Sequence, residues 1–276
     1  PLPGSLRQGV LVGAALIERL WSYRSFILGS VKREFQSRYR NSLLGPLWPL
    51  LQPLAMIAIY TLIFSQVMRA RLPGVDDGLA YGIFICAGVL TWGLFSEVTS
   101  RCVGLFLENA NLLKKLSFPR ACLPAIVLLN ALLNFSITLG LFLGVLLMMG
   151  RFPGEALLAL PVLVGIQLLF AISLGMCLGV LNVFFRDVGQ LFAIGLQFWF
   201  WLTPIVYPLG ILPSFVQPWL ALNPMTGLMQ AYQGVFVQGI WPNWPTLWPA
   251  LLSGVVCSFL ALLLIRRREA EMLDEL

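Results

Sequence analysis

The chain has 276 residues, 59% of them apolar and only 11% charged, with a net charge of +6. Its mean hydropathy of +0.86 excludes a soluble globular domain, in which about a quarter of the residues are charged. Its long uncharged runs favour membrane-crossing helices over the alternating segments of a barrel. Histidine is absent, which removes the commonest general base and metal ligand and argues against catalysis or a metal site in this chain. Cys86, Cys102, Cys122, Cys177 and Cys257 form no CxxC pair and read as small packing residues.

In chain order, the first apolar stretch, GVLVGAAL, runs into Glu18 and Arg19, so no cleavable signal peptide is expected. Residues 16–31 place Leu16, Leu20, Tyr23, Ile27 and Val31 on one helical face, with Trp21 and Leu28 beside them and Glu18, Arg19, Ser22, Ser25 and Gly29 opposite. This predicts an amphipathic helix in the membrane interface, with a packed helix of a small soluble domain as the alternative. Lys32, Arg33, Arg38 and Arg40 follow. With Trp21 they are candidates for meeting lipid headgroups, either a lipid pyrophosphate or ordinary anionic lipid.

Six spans are expected, at about 46–68, 79–107, 121–149, 156–185, 188–207 and 245–265, with Pro46, Pro49 and Pro53 in the opening turns of the first. The N-terminal 45 residues hold seven Lys/Arg; Lys114, Lys115, Arg120, Arg186, Arg266, Arg267 and Arg268 fall on the same side, which places both termini in the cytoplasm. The architecture is thus an all-α membrane protein with a cytoplasmic N-terminal segment (1–45), a transmembrane domain (46–266) and a cytoplasmic tail (267–276). Residues 208–244 are too apolar for an exposed loop and too rich in proline and glycine for one span, and read as short re-entrant helices.

Glu97 and Arg101, four apart in the second span, share a face and can pair, either as a structural ion pair or as the lining of a polar path. NLLKKLSFPR (111–120) reads either as a plain cytoplasmic loop or as a docking helix, with Asn111, Leu112, Leu113, Lys114, Lys115, Leu116, Phe118 and Arg120 at the contact. Arg186 and Asp187 in NVFFRDVGQ mark a tight turn that caps two helices or transmits motion. The GxxxG pairs Gly140/Gly144 and Gly175/Gly179 predict close helix packing. No Asp, Glu, Lys or Arg occurs between 188 and 265, where aromatics concentrate, Phe198, Trp199, Trp201, Tyr207 and Tyr232 among them. They fit an interfacial belt or a surface for stacking sugar rings.

The order of these segments, with RYRNSLLGPLWPLLQP leading into the first span, NLLKKLSFPR, FFRD, TPIVYP and LNPMTGLMQAYQ, resembles the permease subunits of type-2 ABC exporters, and most nearly the O-antigen branch of the polysaccharide exporters. The resemblance covers residues 16–266 and implies a homodimeric channel in the bacterial inner membrane, driven by two copies of a separate ATPase subunit that holds the ATP and Mg. It further implies a lipid-linked polysaccharide as substrate, no cofactor in this chain, membrane lipids around it and no nucleic-acid partner. The chain contains no GxxxxGK[ST] phosphate loop of its own. By the same resemblance residues 111–120 and the N-terminal helix contact the ATPase, and Phe198, Trp199, Trp201, Tyr207 and Tyr232 line the channel. A permease for teichoic acid, capsule or a small hydrophobic compound is the nearer alternative; a membrane-embedded glycosyl- or acyltransferase, which would need more carboxylates than Glu97 and Glu108, is the distant one.

Overall fold

The computed structural model describes residues 21–39, 47–63, 79–115 and 122–275, and among them every regular element is helical. In chain order these are α1 (Arg24–Tyr39), α2 (Trp48–Thr61), α3 (Ala80–Glu108), α4 (Ala110–Lys115), α5 (Cys122–Met148), α6 (Leu160–Phe184), α7 (Asp187–Leu202), α8 (Gln217–Ala221), α9 (Pro224–Gln238) and α10 (Trp248–Glu275). Short 3-10 turns at Gly154–Ala159 and Trp244–Leu247 lead into α6 and α10. Four helical stretches are long and apolar enough to cross a membrane: Ala80–Glu108, Cys122–Met148, Gly154–Phe184 and Trp244–Arg268. At 16 residues, α7 rises only about 24 Å, short of a full crossing, whereas α2 continues as helical backbone through Leu62 and Ile63 to the edge of the described residues.

Around α3 the fold is organised. Of its most apolar stretch 72% lies inside the protein, against 22% for α5 and for α10. Helices α2, α5, α6, α7 and α9 all lean on it, and α6 packs broadly against both α3 and α10. What allows the α3/α6 approach is one of the two GxxxG pairs. A Cβ on Gly175 would stand 2.5 Å from Cys102 Cβ, and one on Gly179 would stand 2.5 Å from the Cys102 carbonyl oxygen. Gly140 and Gly144 on α5, by contrast, have nothing within 4 Å, so the expected close packing occurs at one pair and not at the other.

Two sequence expectations need correction. The N-terminal helix does not end near residue 31: α1 continues through the basic residues to Tyr39, with Ile27 and Val31 buried and Trp21, Tyr23, Phe26 and Leu28 exposed. Residues 16–20 lie outside the described residues. In α2, which starts at Trp48, Pro49 occupies the tolerated N-terminal position whereas Pro53 stands inside the helix, where it removes a backbone hydrogen bond. Pro46 lies outside the described residues. At the other end, α10 carries on past Arg266–Arg268 to Glu275 as one helix.

Replacing Gly179 with alanine should destabilise the protein by about 1–3 kcal/mol, because the methyl group meets backbone that cannot yield easily. The same change at Gly165, which stands open on the same helix, should be neutral or stabilising by up to about 1 kcal/mol. Thermal unfolding of the two purified variants checks the contrast in sign.

Candidate functional site

Helix α7 ends in Phe198, Trp199, Phe200, Trp201 and Leu202, and the backbone turns extended at Thr203. One helical turn distributes these rings to two sides. Trp199 and Phe200 point inward: Trp199 meets Phe95 edge-on at 5.3 Å and Trp92 at 6.1 Å, and Phe200 meets Trp92 at 5.8 Å. Phe95 in turn stacks on Phe170 at 5.5 Å. Phe198 and Trp201 point outward, 67% and 64% exposed. An apolar groove runs along the outer side of α6 and α7 between Leu174, Leu191, Phe198, Trp199 and Leu202. Tyr207 is half-buried and donates its hydroxyl to the Trp201 carbonyl at 2.8 Å. Tyr232 is 0% exposed in the middle of α9, and its hydroxyl finds no partner among the described residues. The five aromatics singled out from sequence therefore divide: two open, two partly covered, one enclosed.

Polar side chains hold the break after α7. Asn223 caps α9, its Oδ1 accepting from the Met225 amide at 3.1 Å. The same Oδ1 accepts from Trp199 Nε1 at 2.9 Å, while Asn223 Nδ2 donates to Thr203 Oγ1 at 3.0 Å. Pro224 follows at the first position of the helix, where its missing N–H is harmless. The Pro204 and Ile205 carbonyls both accept from Gln233 Nε2 at 3.2 Å, and the Val206 carbonyl accepts from Tyr81 Oη at 2.8 Å. A Cβ on Gly88 would come within 3.0 Å of both Gln233 and Ile205, so α3 has glycine where the turn rests on it. Sequence reasoning recorded LNP and TPIVYP as motifs but missed Gln233, Tyr81 and the role of Asn223; a polar residue in an otherwise apolar segment was the available signal.

The second site lies toward the other end of α3. Arg101 Nη2 donates to Glu34 Oε1 on α1, and Asn130 Nδ2 on α5 donates to Glu34 Oε2 at 2.6 Å. Glu97 stands 3.8 Å from Arg101 Nη1 and accepts from Asn134 Nδ2 at 2.8 Å. The pair expected from the i, i+4 spacing exists, but the shorter bond of Arg101 goes to Glu34, 67 residues away. Glu97 and Asn134 also border a cavity of about 320 Å³ between α2, α3 and α5, with Gln52, Ile57, Tyr60 and Phe135 on its walls.

Of the 111–120 connector, α4 forms a single short helix. Leu113 is buried while Asn111, Leu112 and Lys114 are exposed; the side chain of Lys115 and all of Leu116, Phe118 and Arg120 lie outside the described residues. At the FFRD turn Arg186 and Asp187 are exposed, and the α6/α7 junction is tied instead by Asn182, which accepts from the Gly189 amide at 2.9 Å and donates to the Val103 carbonyl at 3.1 Å. Lys32 and Arg33 are exposed on α1, Arg33 donating to Ser30 Oγ at 2.9 Å, and Trp21 is 69% exposed with Arg24 over its ring. Arg40 and the side chain of Arg38 lie outside the described residues.

Replacing Asn223 with alanine should cost about 2–4 kcal/mol, since it removes a cap and strands the Trp199 and Thr203 groups that it joins. Trp199→Phe should cost less. Tyr232→Phe should be neutral or stabilising, because it deletes a buried hydroxyl that forms no bond. Thermal unfolding in detergent ranks the three.

The ABC-2 type transporter family matches residues 27–237. The chain is 33% identical to the O-antigen export system permease protein RfbA of Myxococcus xanthus, over 95% of this chain and 99% of that one. It is 26% identical to the protein of the same name from Klebsiella pneumoniae, over 75% of this chain and 78% of that one. The polysialic acid transport protein KpsM of Escherichia coli is 24% identical over 87% of this chain and 92% of its own. A chain whose described residues form only helices, four stretches of them able to cross a membrane, and which the family matches over most of its length, is a membrane component of a transporter: it belongs to the ABC-2 type transporter family.

Proposed function

We propose that this chain is the permease subunit of an O-antigen exporter, carrying a lipid-linked polysaccharide across the bacterial inner membrane. The observation that carries the reading is the 33% identity to an O-antigen export permease across nearly the full length of both chains. Two copies form the channel, and two copies of a separate ATPase subunit drive it. Six crossings with both termini in the cytoplasm account for the distribution of basic residues. In that arrangement α2 and α7 supply the other two crossings, and residues 208–244, with α8 and α9, form a re-entrant outer gate.

Residues of this chain supply the path and its mechanical control; ATP and Mg are held and hydrolysed in the partner subunit. A polymer that must slide needs many weak sites, and a deep ionic one would trap it. The segment 188–265 carries no ionised side chain, and the open rings of Phe198 and Trp201 at the end of α7 offer apolar faces for the C–H sides of successive sugars. The same absence of charge favours a neutral glycan over an anionic capsule. Trp199 and Tyr207 act mainly by holding the turn that presents those rings, and Tyr232 by packing beneath it. On the cytoplasmic side the exposed face of α4, from Asn111 to Lys114, docks on the ATPase, joined by Lys115, Leu116, Phe118 and Arg120. The basic residues Lys32, Arg33, Arg38 and Arg40, with Trp21, meet lipid headgroups or the pyrophosphate of the carrier.

Co-expression with a partner ATPase subunit of an O-antigen exporter should give a two-plus-two complex that hydrolyses ATP, while this chain alone hydrolyses none. Replacing Phe198 and Trp201 together by alanine should leave that complex and its ATPase intact and reduce surface glycan by about tenfold, since each lost stacking contact is worth about 0.5–1.5 kcal/mol. Unchanged glycan in that variant would return both rings to the lipid interface.

A further inference from the structure

One acidic residue of helix α1 ties it by hydrogen bonds to two other helices. Its other charged side chains are cations, Arg24, Lys32, Arg33 and Arg38, and Glu34 is its only acid. That single carboxylate is used twice, accepting from Arg101 on α3 and from Asn130 on α5. Ile27 and Val31, both 5% exposed, add apolar contact earlier on the same helix. Apolar contact resists separation but tolerates sliding, because it has no direction. A guanidinium–carboxylate pair is directional, and pulling it apart leaves Arg101, only 24% exposed, without its nearest counter-charge among apolar helices.

Arg101 stands on the helix that reaches the other functional region. Seven residues further on, α3 ends at Glu108 and passes into α4, where Asn109 caps it by donating to the Leu105 carbonyl at 2.9 Å. Twenty residues earlier, about 30 Å along the axis, Tyr81 holds the Val206 carbonyl. Between the two, the Thr91 carbonyl accepts from Gln167 of α6 at 2.6 Å, and Gly88 lies directly under Ile205. A shift of α3 therefore cannot leave the turn after α7 undisturbed.

We infer that Glu34 and Arg101 form a latch that transfers displacement of α1 to α3, and through α3 to the turn at residues 203–207 that presents the open aromatics. Asn130 keeps the Glu34 carboxylate in register, and the Glu97–Asn134 bond holds the second carboxylate beside Arg101. These are positioning residues: they touch no substrate. The inference rests on the permease reading in one respect, that α1 lies where the ATPase moves it.

The test uses the complete complex with its ATPase. Glu34→Gln, the single reversals Glu34→Arg and Arg101→Glu, and the reversed pair E34R/R101E are compared for complex recovered, ATP hydrolysed, glycan exported per ATP and hydrogen exchange of the α1 amides. Glu34→Gln should give complex in normal amount that hydrolyses ATP, yet exports about tenfold less glycan per ATP, with faster α1 exchange. The reversed pair should recover most of what either single reversal loses. Export per ATP unchanged in Glu34→Gln, or a loss that only follows the amount of complex recovered, overturns the latch, as does a reversed pair no better than the singles. If the unaltered chain recruits no ATPase, the permease reading fails on its own. The latch is then decided by exchange, and unchanged α1 protection in Glu34→Gln overturns it.

Discussion

A helix interrupted inside an apolar layer exposes carbonyl groups that water cannot reach, and this constraint governs the region after α7. Pro204 ends the helix and frees the carbonyls of residues 204–206, each of which would cost several kcal/mol if left bare in hydrocarbon. The protein satisfies them with side chains from two other helices: Gln233 of α9 takes two and Tyr81 of α3 takes the third. Those bonds require α9 to lie deep in the protein, where Met225, Leu228, Met229, Tyr232 and Val235 are all fully buried. The same depth dictates both ends of α9. Asn223 caps its start while holding Trp199. Gly239, at φ 65°, stops it where a Cβ would come within 3.0 Å of the Pro153 carbonyl oxygen. Another glycine lets α9 settle against the turn before α10, since a Cβ on Gly227 would stand 2.2 Å from the Thr246 carbonyl oxygen.

From this follows a division of labour among the rings at the end of α7. Inward rings build an edge-to-face cluster with Trp92, Phe95 and Phe170, which fixes the rotation of α7 about its axis. Outward rings inherit that rotation: Trp201 meets Phe200 edge-on at 5.4 Å, and Phe198 stands open beside them. The proposed glycan surface would gain from this arrangement, because a loose ring would lose entropy at every sugar it met. Helix α3 is the common support. It carries the inward cluster, the contacts to the turn, the glycine-mediated packing of α6, and the charge pair to α1.

Much of the helical layout was legible in the sequence because long apolar runs leave little choice. The expected spans 79–107 and 121–149 lie within a residue of Ala80–Glu108 and Cys122–Met148. What the pattern could not give is which faces meet. Gly140/Gly144 and Gly175/Gly179 have identical spacing, yet only the second pair meets another helix in this chain, because small residues permit close approach without specifying a partner. The amphipathic pattern of the N-terminal helix was read over residues 16–31, with the basic residues after it. Charge marks the membrane boundary, however, and says nothing of whether the backbone continues, and α1 continues past Lys32 and Arg33 to Tyr39. Glu34 carries no local signal either, because its partners lie 67 and 96 residues away. For the three candidate aromatics on α7, Phe198, Trp199 and Trp201, helix rotation decides which are covered and which open, and rotation is set by contacts with Trp92 and Asn223 that no local window contains.

The central claim is that a charge-free, aromatic-lined path after α7 carries a neutral glycan, controlled through α3. A cryo-EM reconstruction of the complex with its ATPase and a bound lipid-linked glycan tests it most directly. The account predicts sugar rings lying within about 4 Å of Phe198 and Trp201, with no ionised side chain in contact along residues 188–265. Glycan density elsewhere, with both rings surrounded by lipid, would contradict it.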